Sequence, residues 1–361
     1  VKELLDIDAF IDYMLVNQHG GNWDWPHNNW YATHHDVEDG KWYFHMWDAE
    51  GVWRSLSDNR VTATGGPGDI FLSLVARSDD FRTQFADHIQ KHYFNGGLLS
   101  PEANIERLHR LTEPIDRAVV GESARWGDGR WDQVNPARTR DQHWVRRLQT
   151  LERTYFPRRN DIVLRQYDRA GVWPDTEAPV LNQHGGSVAA GFEMTITNPN
   201  ETGTIYYTLN GADPRVSGGE LFGEAIMHDG SPIVVDASLL VRARVLNDDG
   251  EWSPLTETNF LVGDALPGDI DENGTVDIND VDRMCQQVLA GLHEARSDLS
   301  RDGVVDLDDH RILIQDLLGL GYGDANEDGV FNSSDLVKVF ELGRYETPEL
   351  GVATWAMGDW N

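Results

Sequence analysis

A loop-and-helix motif recurs in the last third of the sequence and constrains the fold more than any other feature. Its first copy, residues 269–280, carries oxygen-bearing side chains at loop positions 1, 3, 5, 9 and 12, with Gly274 at position 6. Side-chain oxygens at alternate positions, a backbone carbonyl at position 7 and a glycine at the sharp turn are how many proteins hold Ca²⁺. Apolar residues at helical spacing follow. We therefore predict a calcium loop that leads into a helix.

The motif begins again at Asp298 and at Asp324, and a fourth copy starts at Asp359 and reaches Asn361. Three complete copies with glycine at the same offset favour Ca²⁺ binding over solvated acidic turns. Position 12 is aspartate in each copy, where an EF-hand has glutamate, and Ser300 at position 3 departs furthest from the pattern. The predicted Ca²⁺ ligands are Asp269, Asp271, Asn273, Thr275, Asp280, Asp298, Ser300, Asp302, Val304, Asp309, Asp324, Asn326, Asp328, Val330 and Asp335.

The charge of the chain limits its partners. The sequence has 61 acidic and 30 basic residues, a formal net charge of −31, and residues 264–361 contain 22 acidic and 6 basic ones. This excess argues against nucleic acid or an anionic membrane surface as a partner. No run of 18 apolar residues is present, so we predict no membrane span. Cys285 is the only cysteine, which excludes an intramolecular disulfide and a cysteine-rich zinc site.

Repeated calcium loops, each followed by one helix, make residues 267–343 resemble the type I dockerin module. The resemblance implies that Ca²⁺ is required for folding and that the module docks onto a cohesin-like protein domain. Loop positions 10 and 11 carry recognition in that family. Here they are Ile278-Asn279, Leu307-Asp308 and Ser333-Ser334. Because these pairs differ from one another, a two-fold symmetric binding mode does not follow from the resemblance.

The middle of the chain, residues 176–263, has a different composition. Short β-type runs, separated by turns rich in Asn, Gly and Pro, predict a β-sandwich. The runs are Glu193–Thr197, Thr204–Leu209 and Ser238–Leu246. The segment Gly203–Arg215, with Val241–Val245 and Glu251–Pro254, resembles the C-terminal β-sandwich module of chitobiases and hexosaminidases. We predict that this module is a spacer.

The first 170 residues are predicted to be mostly helical. One apolar face at helical spacing is formed by Ile7, Phe10, Ile11, Met14 and Leu15, and His19-Gly20-Gly21 should end that helix. Further helical runs are predicted near 69–94, 101–120 and 143–169. The aromatic segment Lys41–Trp47 is typical of a strand.

The densest group of chemically useful side chains lies between these helices. Phosphoryl transfer needs a carboxylate that orients the attacking hydroxyl and oxygen ligands that hold Mg²⁺ on the phosphates. In protein kinases these are a loop Asp, an Asn five residues later and an Asp just after a strand. Asp24 and Asn29 have that spacing, and Asp48 follows the predicted strand. Asp24 with Asp48 or Glu50 could instead be the carboxylate pair of a glycoside hydrolase.

This stretch resembles the spore-coat protein H (CotH) kinase family, an atypical kinase-like fold, over about residues 1–165. The features that match are Asp8-Ala-Phe-Ile-Asp-Tyr13, Asn22-x-Asp24 with Asn28-Asn29-Trp30, and Gly40-Lys41-Trp42 leading into Trp47-Asp48. The resemblance implies Asp24 as the catalytic carboxylate and Asp48 as a Mg²⁺ ligand, with ATP as the phosphate donor and a protein hydroxyl as the acceptor. Asn29 is the implied second ligand, and Asn28 competes for that role.

Together these segments predict a multidomain α+β protein. Its domains are a helical CotH-kinase-like C-lobe at 1–170, a β-sandwich at 176–263 and calcium-binding repeats at 267–361. We expect a secreted or cell-surface protein. No kinase N-lobe precedes Val1, so this chain by itself is expected to be inactive. A non-catalytic scaffold or pseudokinase and a dockerin-bearing glycoside hydrolase remain alternatives.

Overall fold

The computed structural model describes residues 2–358, apart from 38–39, 128–136, 264–265, 272, 293, 295, 301–303 and 343–353. The chain forms two compact units. The first contains Val1–Ala178 together with Ser217–Glu220 and Leu246–Leu255, and the second contains the remainder. No helix in the described part of the chain is both long and apolar enough to cross a bilayer.

Helix α1 (Ile7–Gly20) opens the first unit where the apolar periodicity predicts it. The Asp6 side chain caps its start by accepting a hydrogen bond from the Ala9 backbone N–H, and the helix ends at Gly21 in a left-handed conformation (φ 62°). Its predicted apolar face is buried. Two antiparallel strands follow, β1 (Trp30–His34) and β2 (Trp42–Met46), which pair along their full length. The predicted strand at 41–47 is therefore confirmed, and β1 is its partner.

Among the described residues, the first unit contains six further α-helices. They are α2 (Pro67–Arg77), α3 (Asp79–Tyr93), α4 (Pro101–Thr112), α5 (Ala118–Trp126), α6 (Val145–Thr150) and α7 (Phe156–Arg169). The run predicted at 69–94 divides at Ser78, whose side chain caps α3 through the Phe81 N–H. The run at 101–120 breaks before α5, where Pro114 lacks the N–H needed to continue a helix. Wider π-type turns flank α6: Arg140–Trp144 directly precedes it, and Leu151–Tyr155 joins it to α7.

The core of the first unit packs α1 against α3 and α7. Ile11 and Met14 of α1, Phe85 of α3 and Tyr167 of α7 are all fully buried within one apolar cluster. Apolar burial of this kind stabilises a fold by about 25 cal/mol per Å². The packing fixes the direction of α1, and its C-terminal end therefore has a defined position.

The second unit begins with a β-sandwich-like domain. Its strands are β3 (Val180–Leu181), β4 (Gly186–Val188), β5 (Phe192–Met194), β6 (Ile196–Thr197), β7 (Thr204–Thr208), β8 (Ile226–Met227), β9 (Ile233–Val235), β10 (Leu239–Leu246) and β11 (Thr256–Val262). Five of them form a sheet in the order β4-β11-β10-β7-β8, and β3-β6 and β5-β9 form two small pairs. Alternate residues of the sheet, such as Val241, Ala243 and Val245, are fully buried in the core.

Three helices follow the predicted calcium loops. They are α8 (Ile278–Ala290), α9 (Leu307–Arg311), which continues as a π-type segment (Ile312–Leu317), and α10 (Ser333–Glu341). The apolar face of α8 and the π-type segment after α9 share a small core that includes Met284, Leu313 and the fully buried Trp355. The Trp355 ring N–H donates to the backbone oxygen of Asp324, 2.7 Å away. An aromatic side chain thus ties the start of the third loop to this core.

Candidate functional site

Asn29 joins the two segments that carry the predicted catalytic and Mg²⁺-binding carboxylates. Its Nδ2 donates to Oδ2 of Asp24 at 3.0 Å and lies 3.3 Å from the backbone oxygen of Asp48. Its own carbonyl accepts a hydrogen bond from the Trp47 N–H at 3.0 Å. The β1–β2 pairing thus brings residue 48 back beside the loop of residue 24. Asp24, Asn29 and Asp48, predicted as one group, do lie together.

Two of these residues have a backbone conformation that most side chains avoid. Asn29 has φ 61° and Asp48 has φ 51°, both in the left-handed region. Asn and Asp tolerate this region better than other non-glycine residues, but it still costs about 1 kcal/mol or more. Such strain persists where surrounding structure holds it and is concentrated at functional sites. Here the two residues flank the β1–β2 hairpin, with Asn29 just before β1 and Asp48 shortly after β2.

Glu50 is a third carboxylate at this site, and the kinase interpretation of the sequence gave it no role. A hydrogen bond shared with Asp48, together with the negative charges of Asp48 and Asp24, raises the pKa of Glu50 above its usual value. Asp48 and Glu50 are exposed and Asp24 is half-buried. The three acids therefore converge on a surface that solvent and a ligand can reach. Their like charges make a cation favourable there.

The donors of this site fit a hard divalent cation. Mg²⁺ takes oxygen ligands and usually one or two protein carboxylates beside phosphate oxygens. Asp48 and Glu50 supply carboxylates, and Asn29, which donates through Nδ2, retains Oδ1 as a ligand atom. Asn28, the competing ligand, is exposed. Asn29 is hydrogen-bonded both to the Asp24 carboxylate and to the Asp48 backbone, so the structure favours Asn29 for this position.

A close backbone approach fixes the loop around Asp24 against the turn after Asp48. The Trp23 N–H donates to the backbone oxygen of Gly51 at 3.3 Å. A Cβ atom on Gly51 would lie 2.6 Å from the Trp23 ring, so a larger residue there would displace that ring. Arg54 stacks over the same ring, with its guanidinium carbon 4.6 Å from the ring centroid. Gly51 and Arg54 therefore both pack against the Trp23 ring.

Arg159 of α7 fixes the C-terminal end of α1, the helix that leads into the segment of Asp24. It is fully buried, and its guanidinium donates to the backbone oxygens of Gln18, His19, Leu56 and Asp58 at 2.7–2.9 Å. Two of these are carbonyls at the C-terminal end of α1, where a helix leaves acceptors unpaired and favours a positive charge. A single side chain thereby connects the end of α1 to the loop at 56–58.

The first calcium loop brings its predicted carboxylates together. One oxygen from each of Asp269, Asp271 and Asp280 lies within 4.8 Å of the others. Asp269 and Asp280 are buried. Three acids held this close repel one another unless a cation lies between them, and their oxygen donors suit Ca²⁺. Backbone N–H groups of Asn273 and Gly274 donate to Asp269 at 3.0 Å and hold the loop closed.

The third loop repeats these contacts. N–H groups of Asp328 and Gly329 donate to Asp324 at 3.1 and 2.8 Å. In the second loop, Asp298 and Asp309 are buried, and the Ser300 N–H donates to Asp309 at 2.7 Å. Asp302 of this loop and the start of the fourth copy lie outside the described residues. The remaining predicted ligands occupy the loop positions that the sequence assigns them.

The aspartate at position 12 also caps the helix that follows each loop. Asp280, Asp309 and Asp335 each accept a hydrogen bond from the backbone N–H of the N-cap residue three positions earlier. The N-cap side chain in turn accepts from the first turn, which completes a capping box. The Asn332 N–H, with others, lowers the pKa of Asp335 below its usual value. Position 12 therefore couples the loop to its helix.

Comparisons with known families agree with two of the three predicted modules. Residues 1–159 match the family model described as CotH kinase protein, and residues 183–257 match that of the chitobiase/beta-hexosaminidase C-terminal domain. No curated protein and no solved structure matches the chain. Neither matched region includes the calcium loops, whose assignment stays a prediction. Residues 1–159 are therefore similar to the CotH kinase family, and the β-sandwich-like domain that follows is similar to the chitobiase/beta-hexosaminidase C-terminal domain.

Proposed function

We propose that the first domain is the phosphoryl-transfer part of an atypical protein kinase, which transfers the γ-phosphoryl group of ATP to a protein hydroxyl. The observation that carries this proposal is Asn29, which bonds Asp24 and the Asp48 segment together inside the region that matches the CotH family. Kinase chemistry needs a hydroxyl-orienting carboxylate beside cation ligands. In this proposal Asp24 is the orienting carboxylate, and Asp48 and Asn29 are the cation ligands, on one solvent-accessible surface.

Each residue has a distinct role in this proposal. The Asp24 carboxylate accepts the proton of the acceptor hydroxyl as the new O–P bond forms and the bond to the ADP leaving group breaks. Asp48 and Asn29 would hold Mg²⁺, and Glu50 is an additional ligand candidate. When bound, Mg²⁺ neutralises charge on the transferred phosphoryl group. The hydrogen bond from Asn29 keeps the Asp24 carboxylate oriented.

Transfer of label from γ-labelled ATP by the full-length gene product tests the proposal. We expect Asp24→Asn to reduce transfer by about 10²–10⁴-fold while Mg²⁺-dependent nucleotide binding persists, because the carboxylate acts on the acceptor. Asp48→Asn should lose that nucleotide binding. Asp36→Asn, at another exposed aspartate, is the matched control. Equal transfer by wild type and Asp24→Asn would disprove the role of Asp24, and nucleotide binding without transfer in the wild type would indicate a pseudokinase.

A glycoside hydrolase remains the second candidate because of Glu50. Its raised pKa beside Asp48 and Asp24 is the property expected of a general acid paired with a second carboxylate. The hydrogen bonds of Asn29 have no role in that chemistry, so we favour phosphoryl transfer. Hydrolysis of aryl glycosides that is lost in Glu50→Gln, without any ATP-dependent label transfer, would reverse this preference.

For the C-terminal repeats we propose Ca²⁺-dependent docking onto a cohesin-like protein domain of a secreted or cell-surface assembly. The convergence of Asp269, Asp271 and Asp280 supports the Ca²⁺ part. Surface exposure supports docking, since Leu307 is 63% exposed at a position that carries recognition in dockerins. In the third repeat, Ser333 and Ser334 are exposed at the equivalent positions, and Val337 on α10 is 55% exposed beside them.

A further inference from the structure

A cluster of two histidines and two aspartates lies between α1 and α3, away from the residues assigned to phosphoryl transfer. Asp8 and Asp12 are one helical turn apart on α1, and His88 and His92 are one turn apart on α3. Residues four apart share a helix face, so each helix presents a pair of ligands to the other. The two pairs are separated by 76–84 positions in the sequence, and only the packing of the helices brings them together.

The ligand atoms of this cluster converge on one point. Oδ1 of Asp12 lies 2.7 Å from Nδ1 of His88 and 3.1 Å from Nε2 of His92. These oxygen and nitrogen atoms all lie within 4.8 Å of one another. Tetrahedral ligands at about 2.0–2.2 Å from a Zn²⁺ ion are roughly 3.4 Å from each other, so these atoms would move apart by a few tenths of an ångström to hold the ion.

A second layer of contacts orients His88. Its other ring nitrogen, Nε2, lies 3.0 Å from Oδ1 of Asp8, and Gln84 donates to the same oxygen at 2.6 Å. Ligating histidines commonly donate their second N–H to a carboxylate, which fixes the tautomer and the ring direction. With Nε2–H directed to Asp8, the Nδ1 lone pair of His88 points to the centre of the cluster.

We propose that Asp12, His88 and His92 form a binding site for a divalent transition metal, with Zn²⁺ as its occupant and Asp8 as the supporting carboxylate. Two imidazoles and one carboxylate favour Zn²⁺ over Mg²⁺ or Ca²⁺, which prefer oxygen ligands. Asp8 and Asp12 together balance the charge of the ion. The Asp12 side chain is 48% exposed, so the ion can enter from solvent and keep a water as its fourth ligand.

The position of the site suggests what the ion does. It would join α1 to α3 on the outer side of the domain, while the apolar face of α1 is packed against the core. Because α1 leads directly into the segment that carries Asp24, fixing α1 also restrains that segment. This proposal does not depend on phosphoryl transfer.

An ion pair is the competing explanation for the same contacts. Burial by itself lowers the pKa of His88, but the hydrogen bonds and charges of Asp12 and Asp8 outweigh it and raise the pKa to about 9. A protonated His88 between two carboxylates is therefore a stable arrangement without metal. The two explanations differ in one measurable property, the binding of a transition metal.

Co²⁺ absorption spectroscopy on the full 361-residue chain distinguishes a metal site from an ion pair. A chelator first removes bound metal from the protein, which is then kept in saturating Ca²⁺ so that the predicted calcium loops are occupied. We expect one equivalent of Co²⁺ to produce visible d–d bands that Zn²⁺ abolishes by displacement. His88→Gln and Asp12→Asn should lose the bands, and Asp8→Asn should weaken Co²⁺ binding by roughly 10–100-fold. His35→Gln, at an exposed histidine, should bind as the wild type does.

Circular dichroism of each variant shows whether it is folded, and the half-exposed Asp12 is the site least prone to unfolding on substitution. Absence of d–d bands and of Zn²⁺ binding in the wild type would overturn the proposal and leave an ion pair. Bands that survive in folded His88→Gln and Asp12→Asn would overturn it as well, because the metal would then be bound elsewhere.

Discussion

His19, at the end of α1, is kept neutral by its surroundings. The residue is 2% exposed, and its Nε2 lies 2.9 Å from Oδ1 of Asn160, the partner to which it donates. Tyr93 packs edge-on against the ring. Burial lowers the pKa of His19, the hydrogen bond with Asn160 opposes this shift, the charges of Arg159 and Arg107 add to it, and the net pKa is about 4. In the unfolded chain the value is about 6.5.

This difference makes the stability of the first domain depend on pH. Above pH 6.5 His19 is neutral in both states, and between pH 6.5 and 4 only the unfolded chain takes up its proton. The free energy of unfolding should therefore fall as the pH is lowered through this window, by up to about 3 kcal/mol. Denaturant unfolding of wild type and His19→Gln at pH 7 and pH 4.5 measures it. The variant should lose less stability than the wild type, and an identical loss would refute this origin.

At the level of elements, Arg159 links α7 to the end of α1 and to the loop at 56–58. Replacing it by methionine keeps most of the volume but removes the guanidinium donor of four backbone carbonyls, of which those of Gln18, His19 and Asp58 keep one longer hydrogen bond each. Each such group costs about 1–3 kcal/mol when it stays unpaired. We expect Arg159→Met to lower the free energy of unfolding by about 3–5 kcal/mol.

Chemical denaturation followed by tryptophan fluorescence measures this change. The neighbouring Arg158 is exposed, so Arg158→Met is a matched control with an expected effect below about 0.5 kcal/mol. If both variants lost the same stability, the buried hydrogen bonds of Arg159 would not be the cause.

Some elements could be predicted from sequence and others could not. The apolar repeat of α1 and the aromatic run of β2 are local patterns with a fixed period, so they identified their elements. The helical runs predicted near 69–94 and 101–120 are each interrupted in the structure. They break because Ser78 caps a new helix and Pro114 interrupts one. Strand β1 has no strong pattern of its own and forms by pairing with β2.

At the scale of the whole molecule, the proposed activities belong to separate modules. Asp48→Ala should abolish Mg²⁺-dependent nucleotide binding and leave Ca²⁺ binding by the C-terminal repeats unchanged. Asp335→Ala should leave nucleotide binding unchanged and weaken Ca²⁺ binding by the C-terminal repeats, because Asp335 both completes the third loop and caps α10. Titrations of each variant with Mg²⁺-nucleotide and with Ca²⁺ test this separation. Loss of both activities in either variant would contradict a modular organisation.

The sequence by itself determined what depends on residues close together in the chain: the calcium-loop spacing, the apolar face of α1, and the Asp24–Asn29 spacing with Asp48 after a strand. Tertiary structure alone decided what depends on distant segments. Glu50 becomes part of the site through Asp48 and Asp24, Arg159 reaches back 140 residues to His19, and the pairs Asp8–Asp12 and His88–His92 meet only when α1 packs on α3. Local spacing can be read directly from the amino-acid sequence. Contacts between distant segments follow from burial of the core, which no short pattern encodes.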